Sequence, residues 1–211
     1  MNERAKVFVV DDDPAVLQSV EALLSHRGYE LRCYASPEKF LDEAPLDTPG
    51  CVISDIQMPD FNGVELLRKL VASNSLLSVV VVTGVADVPT AVMLMESGAV
   101  TLLEKPYDQG DLLDAVERAV ATSQQRWQLH QREHEMRQRL DSLTDEERRV
   151  MELVLAGEPN KAIARVLKLS MRTVDRRRHA ILDKMRANSI PELALMVGGT
   201  RRTSENDIET N

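Results

Sequence analysis

Short apolar runs alternate with amphipathic stretches five times over the first half of the chain, and then the runs stop. Lys6 to Val10 (KVFVV), Tyr29 to Tyr34, Cys51 to Ser54, Ser78 to Val82 and Val100 to Leu103 are short and mostly apolar, which predicts strands. The stretches between them have helical spacing. Val16, Leu17, Val20, Leu23 and Leu24 share one face, with Asp13-Pro14 as the cap and first turn and Gly28 as the stop. Ser36-Pro37 opens a second helix through Phe40 and Leu41, and Val64 to Val71 forms a third. Ala91 to Ser97 is a fourth, ended by Gly98, and a last begins near Asp111 with Leu112, Leu113, Val116, Ala119 and Val120 on one side. Strands alternating with helices in this way predict a parallel sheet covered by helices on both faces.

The second half has no strand pattern. Val120 to Leu140 is rich in Gln, Arg, Glu and His without Gly or Pro, a composition that favours helix. Leu129, Met136 and Leu143 recur every seven residues, but without a second row a solvated helix is the better reading than a coiled coil. Trp127, His130 and His134 read as covering residues, not metal ligands. Thr144 with Glu147 forms a capping box ahead of an apolar face of Val150, Met151, Val154 and Leu155, stopped by Gly157. Pro159-Asn160 restarts a short helix with Ile163, Ala164 and Leu167 inward. Ser170 caps a third helix to about Arg186, with Val174, Ile181, Leu182 and Met185 apolar, and Pro191 to Val197 is a fourth. Four short helices with tight turns read as a helix-turn-helix unit. The tail from Gly198 has little to bury and is expected to be disordered.

The strand ends carry the chemistry. The first run ends in Asp11-Asp12-Asp13, the third in Asp55, the fourth in Thr83-Gly84 and the fifth in Glu104-Lys105-Pro106. Open parallel sheets place their sites at the carboxyl ends of strands. Capping accounts for Asp13 but not for Asp11 and Asp12. Three carboxylates suit a hard dication held through oxygen, and a lysine with a hydroxyl beside them suits a phosphoryl group. Each residue also has a plain alternative, Thr83 as a loop hydroxyl and Lys105 as a surface ion-pair partner. Pro59 and Asn62-Gly63, following Asp55, are turn signals.

Composition narrows the class. With 211 residues, 43% hydrophobic and 28% charged, the chain is ordinary globular material with room for two domains. No apolar run approaches the ~20 residues needed to span a bilayer. Met1-Asn2-Glu3-Arg4 leads into a strand and not a signal peptide, so a cytoplasmic location without membrane contact is expected. Cys33 and Cys51 both sit in strand-like runs and read as buried thiols, without a disulfide framework or a zinc site. The net charge of -8 is unevenly spread. Residues 1–120 carry 20 acidic and 9 basic side chains, whereas 121–211 carry 14 and 17. Between Asn160 and Arg186 there are nine basic side chains against two acidic, which points that segment at a polyanion.

VVDDD, DIQMPDFNGVELL, VVVTG and GAVTLLEKPY resemble the receiver domain of two-component response regulators. LTDEERRVMELVLAG, NKAIARVLKLSMRTVDRRRHAILDKM and SIPELA resemble the LuxR-type DNA-binding domain. Together they make the chain similar to response regulators of the FixJ/NarL type. The resemblance implies a flavodoxin-like receiver over 1–122, a helical linker over 123–142, an all-α four-helix helix-turn-helix domain over 143–197 and a tail over 198–211. It implies Asp55 as phospho-acceptor and Mg²⁺ held by Asp12, Asp55 and the main-chain carbonyl of Gln57, with Asp11 in support. Thr83 and Lys105 would contact phosphoryl oxygens, and Lys105-Pro106 would be a cis peptide. Thr83 and Leu102 stand where the family's switch pair stands, with Leu102 in place of the usual aromatic ring.

In the second domain the third helix would enter the major groove. Arg172, Asp175, Arg176 and His179 lie on the face away from Val174 and Ile181, and Asp175, Arg176 and His179 would be nearest base edges. Lys161, Arg177, Arg178 and Lys184 would touch phosphates, with Thr173 in the same surface. Asp175 stands where many relatives carry Lys.

The function implied is a transcription regulator that takes a phosphoryl group from a sensor histidine kinase and binds double-stranded DNA. It would dimerise when phosphorylated, with RNA polymerase as a further partner, and would be no enzyme beyond its own phosphoryl transfer and dephosphorylation. The alternative is a phosphorylation-independent DNA-binding regulator whose receiver serves as a dimerisation or docking module. A haloacid-type phosphatase is disfavoured, because its nucleophile ends the first strand and here the candidate ends the third, and because the helix-turn-helix half would have no purpose in it.

Overall fold

The structure, a computed structural model, describes residues 4–58, 63–84 and 87–206, and within 199–206 only the main chain. Pro59 and Asn62, two of the expected turn residues, lie outside the described residues. The chain divides into two compact units, Met1–Leu129 and His130–Asn211.

In the first unit β1 (Lys6–Val10), β2 (Glu30–Tyr34), β3 (Gly50–Asp55), β4 (Leu77–Thr83) and β5 (Ala99–Glu104) form one sheet in the order β2-β1-β3-β4-β5. Every pair is parallel. The helices are α1 (Pro14–Leu24), α2 (Pro37–Glu43), α3 (Gly63–Ala72), α4 (Val88–Glu96) and α5 (Gln109–Asp141). Alternation along each strand sorts the core into two layers. Phe8, Val10, Val52, Val79 and Val81 face Phe40, Leu66, Leu67, Leu70 and Leu94 on one side. Val7, Val9, Cys51, Ile53, Val80 and Val82 face Val20, Leu24, Leu112, Val116 and Ala119 on the other. Strands buried on both faces explain why their sequences are apolar without a polar alternate. Both free thiols are at least half-buried, and burial pushes the Cys51 thiol far above its ordinary range.

Local signals fix the helix starts. Asp13 caps α1 by accepting from Ala15 N at 2.8 Å, and Ser36 caps α2, each with Pro in the first turn. The fourth helix begins at Val88, three residues before the expected Ala91, because Asp87 caps it through Thr90 N at 2.8 Å and Pro89 fits its first turn. The last helix of the sheet domain does not end before a separate linker helix; α5 is a single helix of 33 residues. Ser123, the first residue of the expected linker, is fully buried in the first unit. Its hydroxyl donates to Leu76 O at 2.5 Å and accepts from Gly50 N at 2.7 Å. The Lys105-Pro106 peptide bond is cis.

The second unit contains α6 (Asp145–Leu155), α7 (Asn160–Val166), α8 (Met171–Met185) and α9 (Ile190–Asn206). Its core is Val150, Met151, Ile163, Val174, Ile181, Met185 and Leu193, with Met136 and Leu140 of α5 packed against it. Leu129 is 58% exposed while Leu143 is buried, so the seven-residue row is not a coiled-coil seam. Both halves of the Thr144–Glu147 capping box form, at 3.2 and 2.9 Å. Gly157 ends α6 with φ of +82°, a conformation that costs a residue with a Cβ. The fourth helix of this unit does not end at Val197. Its main chain continues through Gly198 to Asn206, since glycine costs only about 1 kcal/mol in a helix and does not forbid it; the rest of the tail expected to be disordered, 207–211, lies outside the described residues. Among the described residues no helix is long and apolar enough to cross a membrane.

Candidate phosphoryl and nucleic-acid sites

Two strand ends and two residues just past strands deliver the first site. Asp55 is the last residue of β3, Thr83 the last of β4, Asp11 follows β1 and Lys105 follows β5, so all four lie at carboxyl ends of the sheet. The Lys105 ammonium donates to Asp55 Oδ2 at 2.7 Å and to Asp11 Oδ2 at 3.0 Å. Main chain holds the other oxygens. Gln57 N–H donates to Asp55 Oδ1 and Asp13 N–H to Asp11 Oδ1, both at 2.9 Å. Asp11 is 3% exposed and Asp55 9%, so these carboxylates need such partners. Thr83 is fully buried, and its carbonyl accepts from Lys105 N at 2.7 Å, which fixes the lysine backbone beside β4.

Burial raises the Asp11 carboxyl above the usual range; the hydrogen bonds from Asp13 N and Lys105 pull against it without cancelling it. For Lys105 burial is the largest single influence and acts downward. The hydrogen bonds and charges of Asp55 and Asp11 together outweigh it and hold the ammonium above its ordinary value. The lysine therefore stays charged between two buried acids.

The donor set is oxygen only, which suits a hard dication. Asp12 is exposed, and among the described residues no three carboxylate, imidazole or thiol side chains gather as a metal-holding group. Gly63 passes so close to Asp55 that a Cβ there would run into the Asp55 carbonyl oxygen. Its sequence signal was present as a glycine just after the turn residues, but proximity to Asp55 could not be read from it. Leu102 is half-buried among the layer that contains Met93 and Leu94 of α4. Tyr107 packs on the opposite face of the sheet, beneath Asp11 and Asp55, and so does not replace the missing ring.

The second site is the outer face of α8. At about 100° per residue, Arg172, Asp175, Arg176 and His179 share one face, and all four are exposed. Val174, Ile181 and Met185 are buried opposite. Arg177 and Lys184 fall on one flank of that apolar stripe and Arg178 on the other, which turns them toward neighbouring helices and not outward. Arg177 pairs with Glu146 of α6. Lys184 donates to Glu147 Oε2 at 2.6 Å and to Ser142 O at 3.0 Å. Arg178 donates to Asn160 Oδ1. Of the four side chains expected at phosphates, Arg177, Arg178 and Lys184 are engaged inside the unit, whereas Lys161 is exposed and, like Arg172 and Arg176, makes no ion pair among the described residues. Thr173 is half-buried, its hydroxyl beside Ser170 Oγ. Asp175 Oδ1 accepts from Asn160 Nδ2 at 2.6 Å, a partner 15 residues away that no local pattern announces.

Two family models match the chain. The response regulator receiver domain matches residues 7–117, and the bacterial regulatory proteins of the luxR family match residues 141–197. The transcriptional regulatory protein FixJ of Bradyrhizobium diazoefficiens is 37% identical over 193 residues, covering 92% of this chain and 94% of that protein. FixJ of Azorhizobium caulinodans is 39% identical over 197 residues, covering 93% of each. Among solved structures, the response regulator StyR matches with a TM-score of 0.87 and 32% identity, over 93% of this chain and 100% of that one.

Proposed function

The chain belongs to the response regulators that join a receiver domain to a LuxR-type DNA-binding domain, and from that premise we propose that Asp55 accepts a phosphoryl group from a sensor histidine kinase and so controls DNA binding. The observation that carries this is the Lys105 ammonium bonded at once to Asp55 and Asp11 at the ends of the central strands. Residues 1–122 act as receiver and 143–197 as output.

A carboxylate oxygen of Asp55 attacks the phosphorus of the kinase phosphohistidine. The O–P bond forms as the N–P bond breaks, and the imidazole leaves with the electron pair and takes up a proton. Lys105 follows the negative charge from the carboxylates onto the phosphoryl oxygens, and its raised pKa keeps it cationic throughout. The Thr83 hydroxyl donates to a second phosphoryl oxygen. Asp12, Asp55 and the Gln57 carbonyl, with Asp11 in support, would hold Mg²⁺, which supplies positive charge against the phosphoryl oxygens. Movement of Thr83 toward the phosphoryl group opens room for Leu102 to repack, and the phosphorylated chain pairs with a second copy. Paired α8 helices then bind two half-sites in cytoplasmic DNA, within reach of RNA polymerase. Arg172, Arg176 and His179 face the groove, Asp175 reads a base donor, and Lys161 touches phosphate.

The test is acetyl phosphate treatment, with phosphate-affinity electrophoresis and DNA-binding titration on the same samples. The wild-type chain should shift and gain affinity, and Asp55→Ala should do neither. An equal gain in Asp55→Ala would sink the proposal.

A further inference from the structure

Asp175 and Arg178 are three residues apart on α8, a spacing at which opposite charges usually pair directly. They do not pair with each other. Asn160, the first residue of α7, stands between them: its Nδ2 donates to Asp175 Oδ1 at 2.6 Å and its Oδ1 accepts from Arg178. The two charges dictate which way this amide points. Reversed, it would set its oxygen against a carboxylate and its NH₂ against a guanidinium, and both contacts would be lost. The amide is therefore locked by an anion at one end and a cation at the other.

The lock has a consequence at the surface. Asp175 is exposed on the groove-facing side of α8, and its main-chain carbonyl sits 2.9 Å from His179 Nδ1. With Oδ1 engaged by Asn160, no intramolecular hydrogen bond is made to Oδ2 among the described residues. One carboxylate oxygen of fixed direction is left to accept from a base. A free aspartate would sample several rotamers and lose that freedom on binding; a held one has already lost it.

We propose that Asn160 is a positioning residue for sequence readout, which orients the Asp175 carboxylate toward a single amino donor on a base edge, a cytosine N4 or adenine N6 amine. This rests on the reading of α8 as the helix in the major groove, and within that reading it assigns a role to a residue outside the helix. Arg178 is the counterweight: it holds the amide's other end and is thereby withdrawn from phosphate contact.

The experiment is binding-site selection with the full chain and with Asn160→Ala, Asn160→Asp, Asp175→Ala and the Asn160/Asp175 double variant, each also titrated against the selected duplex and a mixed-sequence duplex. Asp175→Ala should relax preference at one base position per half-site. Asn160→Ala should relax the same position, lowering the selected-to-mixed affinity ratio about five- to tenfold, the low end of what one good base contact gives. The double variant should lose no more than Asp175→Ala alone. Asn160→Asp keeps the size and the acceptor toward Arg178 but repels Asp175, so it should relax that position too, even if the alanine variant folds poorly. Equal weakening on both duplexes with preference intact in the Asn160 variants would show a merely structural role and overturn the proposal. If Asp175→Ala leaves the selected motif unchanged, base reading by Asp175 fails, and the role of Asn160 falls with it.

Discussion

Ser123→Ala isolates one buried hydroxyl that ties α5 to the sheet. The side chain is fully buried, donates to Leu76 O at 2.5 Å and accepts from Gly50 N at 2.7 Å. Alanine removes one oxygen, leaves no cavity worth the name and is a better helix former by about 0.5 kcal/mol. The loss therefore comes from the two main-chain groups left behind. Orphaning the buried Gly50 N–H costs about 1–3 kcal/mol, and the bond to Leu76 O adds about 0.5–1.5 kcal/mol. Less the helix gain, the expected net loss is about 1–4 kcal/mol, a sizeable share of the roughly 5–15 kcal/mol that holds a domain folded. Urea unfolding of the full chain, followed with amide hydrogen exchange, reads both parts of the effect. The first unit should unfold at lower urea with an unchanged slope, and the Gly50 amide should exchange faster. Ser142→Ala, whose exposed hydroxyl bonds Arg139 O, serves as the control and should change stability by less than about 0.5 kcal/mol. A loss in Ser123→Ala no greater than in the control, with Gly50 still protected, would refute the reasoning.

Burial would raise the Glu147 carboxyl, but the bonds from Lys184 and Thr144 outweigh it and hold the group below its ordinary 4.5. Its contribution to folding is therefore present above that value and lost as pH falls through the lowered one; Glu147→Gln should unfold more readily at pH 7, with the difference from wild type vanishing under acid conditions in denaturation midpoints. Gly63→Ala forces a Cβ against the Asp55 carbonyl and should cost about 1–3 kcal/mol while slowing acetyl phosphate labelling of Asp55. Lys161→Ala, at the residue assigned to a phosphate, should lower the slope of log affinity against log salt by about one, measured by fluorescence anisotropy. Arg177→Ala, which removes the partner of Glu146, should leave that slope intact and lower thermal stability instead.

What could be read from the sequence was set by range. Strands, caps and the carboxylate site are written in short windows: a run such as KVFVV, a Thr144–Glu147 box, acids and a lysine at successive strand ends. The strand bounds moved by a residue, and α4 began three residues early because Asp87 and Pro89 were not weighed as a cap. The run RRRH is legible as charge, and the stripe at Val174, Ile181 and Met185 sets Arg176 and His179 outward; that Arg177 and Arg178 turn to Glu146 and Asn160 and not to phosphates depends on partners far along the chain. Contacts such as Ser123 with Gly50, 73 residues apart, leave no mark in either local pattern. Neither residue looks unusual where it stands.

The basic segment carries nine cations against two acids, which as a bare field would bind any polyanion. Arg177, Arg178 and Lys184 are taken up by Glu146, Asn160 and Glu147 inside the unit. The ion pairs Arg177–Glu146 and Lys184–Glu147 offset their cations and join α8 to the start of α6, whereas Arg178 keeps its charge against the neutral Asn160 amide of α7. A cation facing solvent adds affinity for every DNA sequence alike, whereas one that fixes the angle of the groove-facing helix adds only where the bases fit. On the proposed reading of α8, offsetting two of the nine cations in this way lowers non-specific attraction to DNA. On that reading the Asp175 carboxylate acts in the same direction, because it repels phosphate everywhere and gains a contact only opposite a base donor. Selectivity in such a unit would come as much from cations offset inside it as from those left on its surface.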